Sequence, residues 1–125
     1  MKYILVIFLI LLAGCTSEEP LPSISQGDMF RMAKIADPNM KIEIGTMKKA
    51  SVTCSDYKIP CKIGYLVKIK NMDIKVLYYL NQDRALKSAK RIRGYVSRNW
   101  VFDDVRGEPI LERLIMKHMD AKPAF

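Results

Sequence analysis

The stretch from Lys62 to Leu80 constrains the fold of this chain more than any other. Ile63, Tyr65, Val67 and Ile69 alternate with Lys62, Gly64, Leu66, Lys68 and Lys70. Beyond Asn71-Met72-Asp73, Ile74, Val76, Tyr78 and Leu80 alternate with Lys75, Leu77 and Tyr79. Successive side chains of a strand point to opposite faces, so two runs of period two around a turn-forming triplet predict an antiparallel hairpin. One face of that hairpin is apolar and the other carries lysines. A slip of one residue would turn the whole apolar set to water, so the register is strongly specified.

The flanking segments supply elements to cover the apolar face. Ser25-Gln26-Gly27-Asp28 fits a capping box, Met29, Met32, Ala33 and Ala36 share one helical face, and Asp37-Pro38 stops the run. These features predict a helix from about Asp28 to Ala36. Lys41–Ile44 and the segment around Val52 and Cys54 alternate like two short strands. Asn81 is placed to cap a helix over Gln82–Ile92, with Ala85, Leu86, Ala89 and Ile92 inward and Gly94 at its end. Tyr95–Asp103 reads as a fifth strand, with Val96, Trp100 and Phe102 on one side. Pro109 suits the first position of a third helix striped by Ile110, Leu111, Leu114, Ile115 and Met119. The order predicts one small α+β domain over residues 25–125: a mostly antiparallel sheet of about five strands with two or three helices packed on one face.

The N-terminus has a different character. Lys2 precedes an apolar run from Tyr3 to Leu12, followed by small residues, which is the organisation of a secretory signal. A spanning helix needs roughly 20 apolar residues, so the run is too short to remain in a bilayer as one. Leu12-Ala13-Gly14-Cys15 resembles the lipobox of bacterial lipoproteins. That resemblance implies cleavage before Cys15, acylation of its thiol, and loss of residues 1–14 as a signal peptide. Residues 15–24 then form the lipidated Cys and a flexible tether, because Thr16–Ser23 is polar and acidic with two prolines. In well-studied bacterial lipoproteins an Asp after the lipidated Cys holds the protein at the inner membrane. Thr16 stands there, and the analogy implies the outer membrane, facing the periplasm.

Loss of the signal, which contains a single Lys, takes the chain from 125 residues and +8 to 111 residues and +7. That length supports one domain with a core of its own. The charge favours anionic surroundings: a lipid or glycan surface, or an acidic envelope protein. Nucleic acid is excluded by export. Cys54 and Cys61 remain after Cys15 is used, and an even pair in an exported chain predicts a disulfide.

Three groups of residues are candidates for chemistry. His118 with Met116 and Met119, and Met29 with Met32, sketch a soft-ligand site for a cuprous ion, but methionines at helical spacing more simply fill a core. Asp103, Asp104, Glu108 and Glu112 form an acidic cluster, and two of them at a suitable separation would serve a peptidoglycan- or lipid-acting hydrolase. Lys62, Lys68, Lys70 and Lys75 share the outward hairpin face with Leu66, Leu77 and Tyr79, while Arg84, Lys87 and Arg91 recur at helical spacing. A face mixing aliphatic, aromatic and cationic groups fits a docking surface. The sequence carries no metal or cofactor motif. The expectation is therefore a membrane-anchored envelope lipoprotein acting as a non-enzymatic interaction or accessory module of an outer-membrane or periplasmic assembly, with the hydrolase as the alternative.

Overall fold

The computed structural model describes residues 21–44 and 52–125. Chain order is α1 (Gln26–Ala36), β1 (Lys41–Ile44), a 3-10 turn (Cys54–Asp56), β2 (Ile63–Ile69), β3 (Met72–Tyr78), α2 (Gln82–Ile92), β4 (Tyr95–Ser97), β5 (Trp100–Asp103), α3 (Pro109–His118) and β6 (Lys122–Pro123). Six strands form one sheet in the order β1-β2-β3-β5-β4-β6, and every neighbouring pair is antiparallel. The fold is the small α+β domain expected from the sequence, with one strand more than expected.

The β2–β3 hairpin keeps the register that alternation demands, with Val67 opposite Ile74 and Tyr65 opposite Val76. Its turn is tighter than expected. Ile69 pairs with Met72, so Lys70 and Asn71 alone make the connection, both at positive φ (51° and 62°). Such two-residue turns match the strand twist and require left-handed backbone at both positions. Met72 and Asp73 belong to the strand.

Two further expectations are corrected. The segment around Val52 and Cys54 is not a strand: Cys54 begins a 3-10 turn and is joined to Cys61 by a disulfide. The continuous strand expected over Tyr95–Asp103 is a hairpin, because Arg98 adopts φ 53° and reverses the chain so that Ser97 pairs with Trp100. Val96 consequently packs on the opposite side of the sheet from Trp100 and Phe102. The other short strand expected before the hairpin, Lys41–Ile44, is β1, while residues 45–51 lie outside the described residues.

The helices divide between the two faces of the sheet. Met29, Ala33 and Ala36 of α1 and Leu111, Ile115 and Met119 of α3 pack with Tyr65, Val67, Ile69, Ile74, Val76, Tyr95, Trp100 and Phe102. Phe30 sets its ring edge-on to Tyr65, with centroids 4.8 Å apart, and Trp100 lies 5.0 Å from Tyr78. On the other face Ala85 and Ala89 of α2 meet Leu77, Tyr79 and Val101, with Cys61 and the disulfide loop beside them. The expected single helical layer is thus two layers around a central sheet. The reason is in β3 and β5: Leu77, Tyr79 and Val101 are apolar on the face opposite the main core and need their own cover.

Gly64 makes the close approach of the disulfide loop feasible. A Cβ there would sit inside the van der Waals radius of Val52 Cγ1. The loop is also tied by polar contacts: Tyr79 donates its hydroxyl proton to the Ile59 carbonyl at 2.7 Å and accepts from Ser88 of α2 at 2.6 Å.

Candidate functional site

The expected docking face lies on the side of the sheet that carries α2, and it falls into two zones. Over the end of β3 it is closed. Leu77 and Tyr79 have the parity assigned to them, but α2 covers them, and both are essentially inaccessible at 0% and 1% exposure. Neither contributes to an exposed surface, because alternation fixes which side a residue faces and not what packs upon that side.

Over β1, β2 and the start of β3 the face stays open. Lys41, Lys68 and Asp73 form one cross-strand row, and Glu43, Leu66, Lys75 and Asp103 form the next. Lys68 lies 3.8 Å from Asp73, and Lys75 lies 3.3 Å from Asp104. Opposite charges side by side attract, so two of the four lysines anticipated here, Lys68 and Lys75, are compensated by neighbouring carboxylates. Lys62 at the head of β2 and Lys70 in the turn are exposed, and Leu66 is half-buried. Lys41, Lys68 and Lys70 line a shallow groove of about 190 Å³ with Asp37, Asn39 and Asn71. Asp37 does not face that groove as a free charge. Its carboxylate accepts from the Lys70 amide at 2.8 Å and the Asn39 amide at 3.0 Å, and the Lys70 bond chiefly holds its pKa below the ordinary carboxylate value against the opposing effect of burial.

The acidic cluster is dispersed. Asp103 accepts the Tyr57 hydroxyl at 2.7 Å and the Asp104 amide at 2.9 Å. Burial, followed by this carboxylate, drives the Tyr57 pKa far upward, so the phenol stays protonated. Glu112 lies on the other face of the sheet, where it accepts the hydroxyl of Tyr95. Burial and then Glu112 push the Tyr95 pKa up to about 12. Glu108 stands exposed at the start of α3 without a side-chain capping bond. Asp103 thus lies across the sheet from Glu112, which follows Glu108 by one turn of α3 and is bound to Tyr95. Among the described residues no group of three or more His, Cys, Asp or Glu is arranged to hold a metal. Met29 and Met119 are buried in the main core, as methionines at helical spacing usually are.

What remains as a coherent surface is the outer face of α2. Asn81 starts the helix by accepting from the amides of Asp83 (2.7 Å) and Arg84 (3.3 Å), and Arg93 in left-handed conformation ends it. Small residues, Ala85, Ser88 and Ala89, form the buried side and let the helix lie close on the sheet. The opposite side exposes Arg84, Lys87, Lys90 and Arg91, with the C-cap Arg93 exposed just beyond them, Leu86 beside them at 39% exposure and Asp83 as the helix's only carboxylate. Among the described residues none of these five cations has a carboxylate within 4.0 Å; the ion pairs lie elsewhere.

Residues the sequence did not single out fix the N-terminal segment beside this helix. Asn99, 2% exposed, accepts from the Ile24 amide at 2.7 Å and donates to the carbonyls of Ile24 (3.3 Å) and Tyr79 (3.2 Å). Trp100 Nε1 donates to the same Ile24 carbonyl at 2.8 Å. Gln82, the first residue of α2, donates to Leu21 O at 2.7 Å and to Ser23 Oγ at 3.2 Å, and Arg98 donates to Pro22 O at 3.2 Å. Leu21–Ile24, expected to belong to the flexible tether, are therefore bound to the domain. No local pattern announces these contacts, and those to Leu21–Ile24 join residues more than 50 positions apart.

No helix among the described residues is long and apolar enough to cross a membrane. Comparison of the chain with protein-family models, with curated proteins and with solved structures found no match.

Proposed function

We propose that the chain is a lipid-anchored protein of the bacterial cell envelope, held by Cys15 at the outer membrane. Its domain is a non-enzymatic interaction module, an accessory part of an outer-membrane or periplasmic assembly. The observation that carries this reading is the outer face of α2, where Arg84, Lys87, Lys90, Arg91 and the C-cap Arg93 stand exposed together without an acidic partner within 4.0 Å among the described residues, while on the sheet Lys68 and Lys75 have carboxylates beside them. A surface of one sign attracts anionic partners and speeds their encounter, at a cost in self-repulsion to the isolated domain. The separation of Asp103 from Glu112 across the sheet weighs against the hydrolase, which needs two carboxylates on one substrate.

Affinity purification from envelopes crosslinked either at low or at high salt tests the reading. A defined envelope component recovered at low salt and lost at high salt is the expected result, since exposed charges are screened beyond about 8 Å at physiological ionic strength. The contrary result is turnover of peptidoglycan or lipid by the purified protein that Asp103→Asn or Glu112→Gln abolishes.

A further inference from the structure

The N-terminal segment and the basic helix meet at one point. Gln82 opens α2 and holds both Leu21 and Ser23, so the chain towards Cys15 leaves the domain at the helix's first turn. Leu21 is only six positions from Cys15, a span that even fully extended reaches about 20 Å. We propose that the bilayer holding the acylated Cys15 is itself the partner of α2: the helix lies along the membrane surface with Arg84, Lys87, Lys90, Arg91 and Arg93 against anionic phospholipid headgroups. The proposal rests on the anchor reading above and adds to it an orientation for the domain.

Three features of the structure favour a lipid surface over other occupants. The first is enforced proximity, because a domain tethered within about 20 Å of headgroups meets them at high effective concentration. The second is charge: the exposed side of α2 carries four cations, with Arg93 at its C-cap, against Asp83 alone, and each cation close to an anionic leaflet strengthens association roughly fivefold. The third is the side chains themselves. Lys and Arg stems lie along apolar surface while their heads reach phosphate, and Leu86 is exposed among them. Seated this way, the domain holds the open rows of the sheet towards the membrane and turns α1 and α3, which cover the opposite face, to the periplasm.

The test is amine labelling of the processed, full-length mature protein in vesicles of phosphatidylethanolamine, with and without phosphatidylglycerol, read by mass spectrometry. Lys87 and Lys90 on α2 should be protected several-fold in the anionic vesicles, with protection lost at high salt. Lys34 on α1 and Lys117 on α3 should label equally in both. The variant Lys87→Glu/Lys90→Glu/Arg91→Glu, whose substituted positions are all exposed, should fold normally and make Arg84 and Arg93 as reactive to an arginine reagent in anionic vesicles as in neutral ones. Equal labelling of Lys87 and Lys90 in the two vesicle types overturns the proposal. So does protection that persists in neutral vesicles or at high salt. Intact mass of the same sample reports acyl chains independently: their absence removes the anchor reading and this proposal with it, whereas an acylated protein with unprotected Lys87 and Lys90 removes this one alone.

Discussion

Asn99 is the residue on which the exit of the N-terminal segment depends, and its truncation gives the sharpest stability test. Asn99→Ala removes the acceptor of the Ile24 amide and the donor to the Tyr79 carbonyl, while the Ile24 carbonyl keeps Trp100 Nε1. Ile24 is 3% exposed, so its amide is left without a partner away from water. An orphaned buried group costs about 1–3 kcal/mol, and with the second lost bond the total is about 2–4 kcal/mol. For a domain of this size that lowers Tm by roughly 10–25 °C. Limited proteolysis should then cut at Leu21–Ile24 in the variant and not in the wild type. Arg98→Ala, which removes a bond to Pro22 O and a 3.9 Å ion pair with Asp120, both at the surface, should cost less than about 1 kcal/mol. Asn99→Asp adds a signature in pH. The carboxylate retains the Ile24 acceptor but sets negative charge against two carbonyls, and only its protonated form can donate to one of them. Its folded pKa is therefore raised, its stabilisation is complete only at acidic pH, and the variant should gain on Asn as pH falls towards about 4. Chemical denaturation showing Asn99→Ala within about 0.5 kcal/mol of wild type would refute the reasoning.

Replacing Cys54 and Cys61 by Ser should cost about 2.5 kcal/mol from the entropy of the eight-residue loop, measured by denaturant titration, with reduction of the wild type giving the same loss. Gly64→Ala should cost about 1–3 kcal/mol through its clash with Val52, and pairing it with Val52→Ala should recover part of that in a double-mutant cycle. Asp37 has a depressed folded pKa, so its stabilisation is present above the ordinary carboxylate pKa and lost as pH falls through the folded value. Asp37→Asn should be less stable than wild type at neutral pH, and the gap should close on acidification below about pH 4.

The parts of this fold legible in the sequence are those set by local pattern. Alternation over Ile63–Ile69 and Ile74–Tyr78 contains the two faces of the central hairpin, and Asn81 with the period of Ala85 and Ala89 contains α2. What escaped has no local signal. Lys70 and Arg98 take left-handed conformations that nothing in their side chains favours, which displaced one turn and hid another inside Tyr95–Asp103. The pair Lys122–Pro123 is too short for any period, yet forms the edge strand β6 on β4. Leu77 and Tyr79 show the limit most clearly: their side of the sheet was readable, and their burial depends on a helix that begins later in the sequence. The same holds for the site. Arg84, Lys87 and Arg91 stand out as a stripe, but that Lys68 and Lys75 have acidic neighbours, and that Gln82 brings the N-terminal segment to this helix, emerges only in three dimensions.

The anchor is the central claim, and labelled fatty acid is its most direct probe. Cells expressing the full chain should incorporate the label into a mature protein of 111 residues found with outer-membrane fractions, and Cys15→Ser should accumulate as unlabelled precursor of 125 residues. Label retained by the Cys15→Ser protein, or a wild-type protein that never takes up label, would contradict lipid attachment at Cys15 and leave the domain without its membrane.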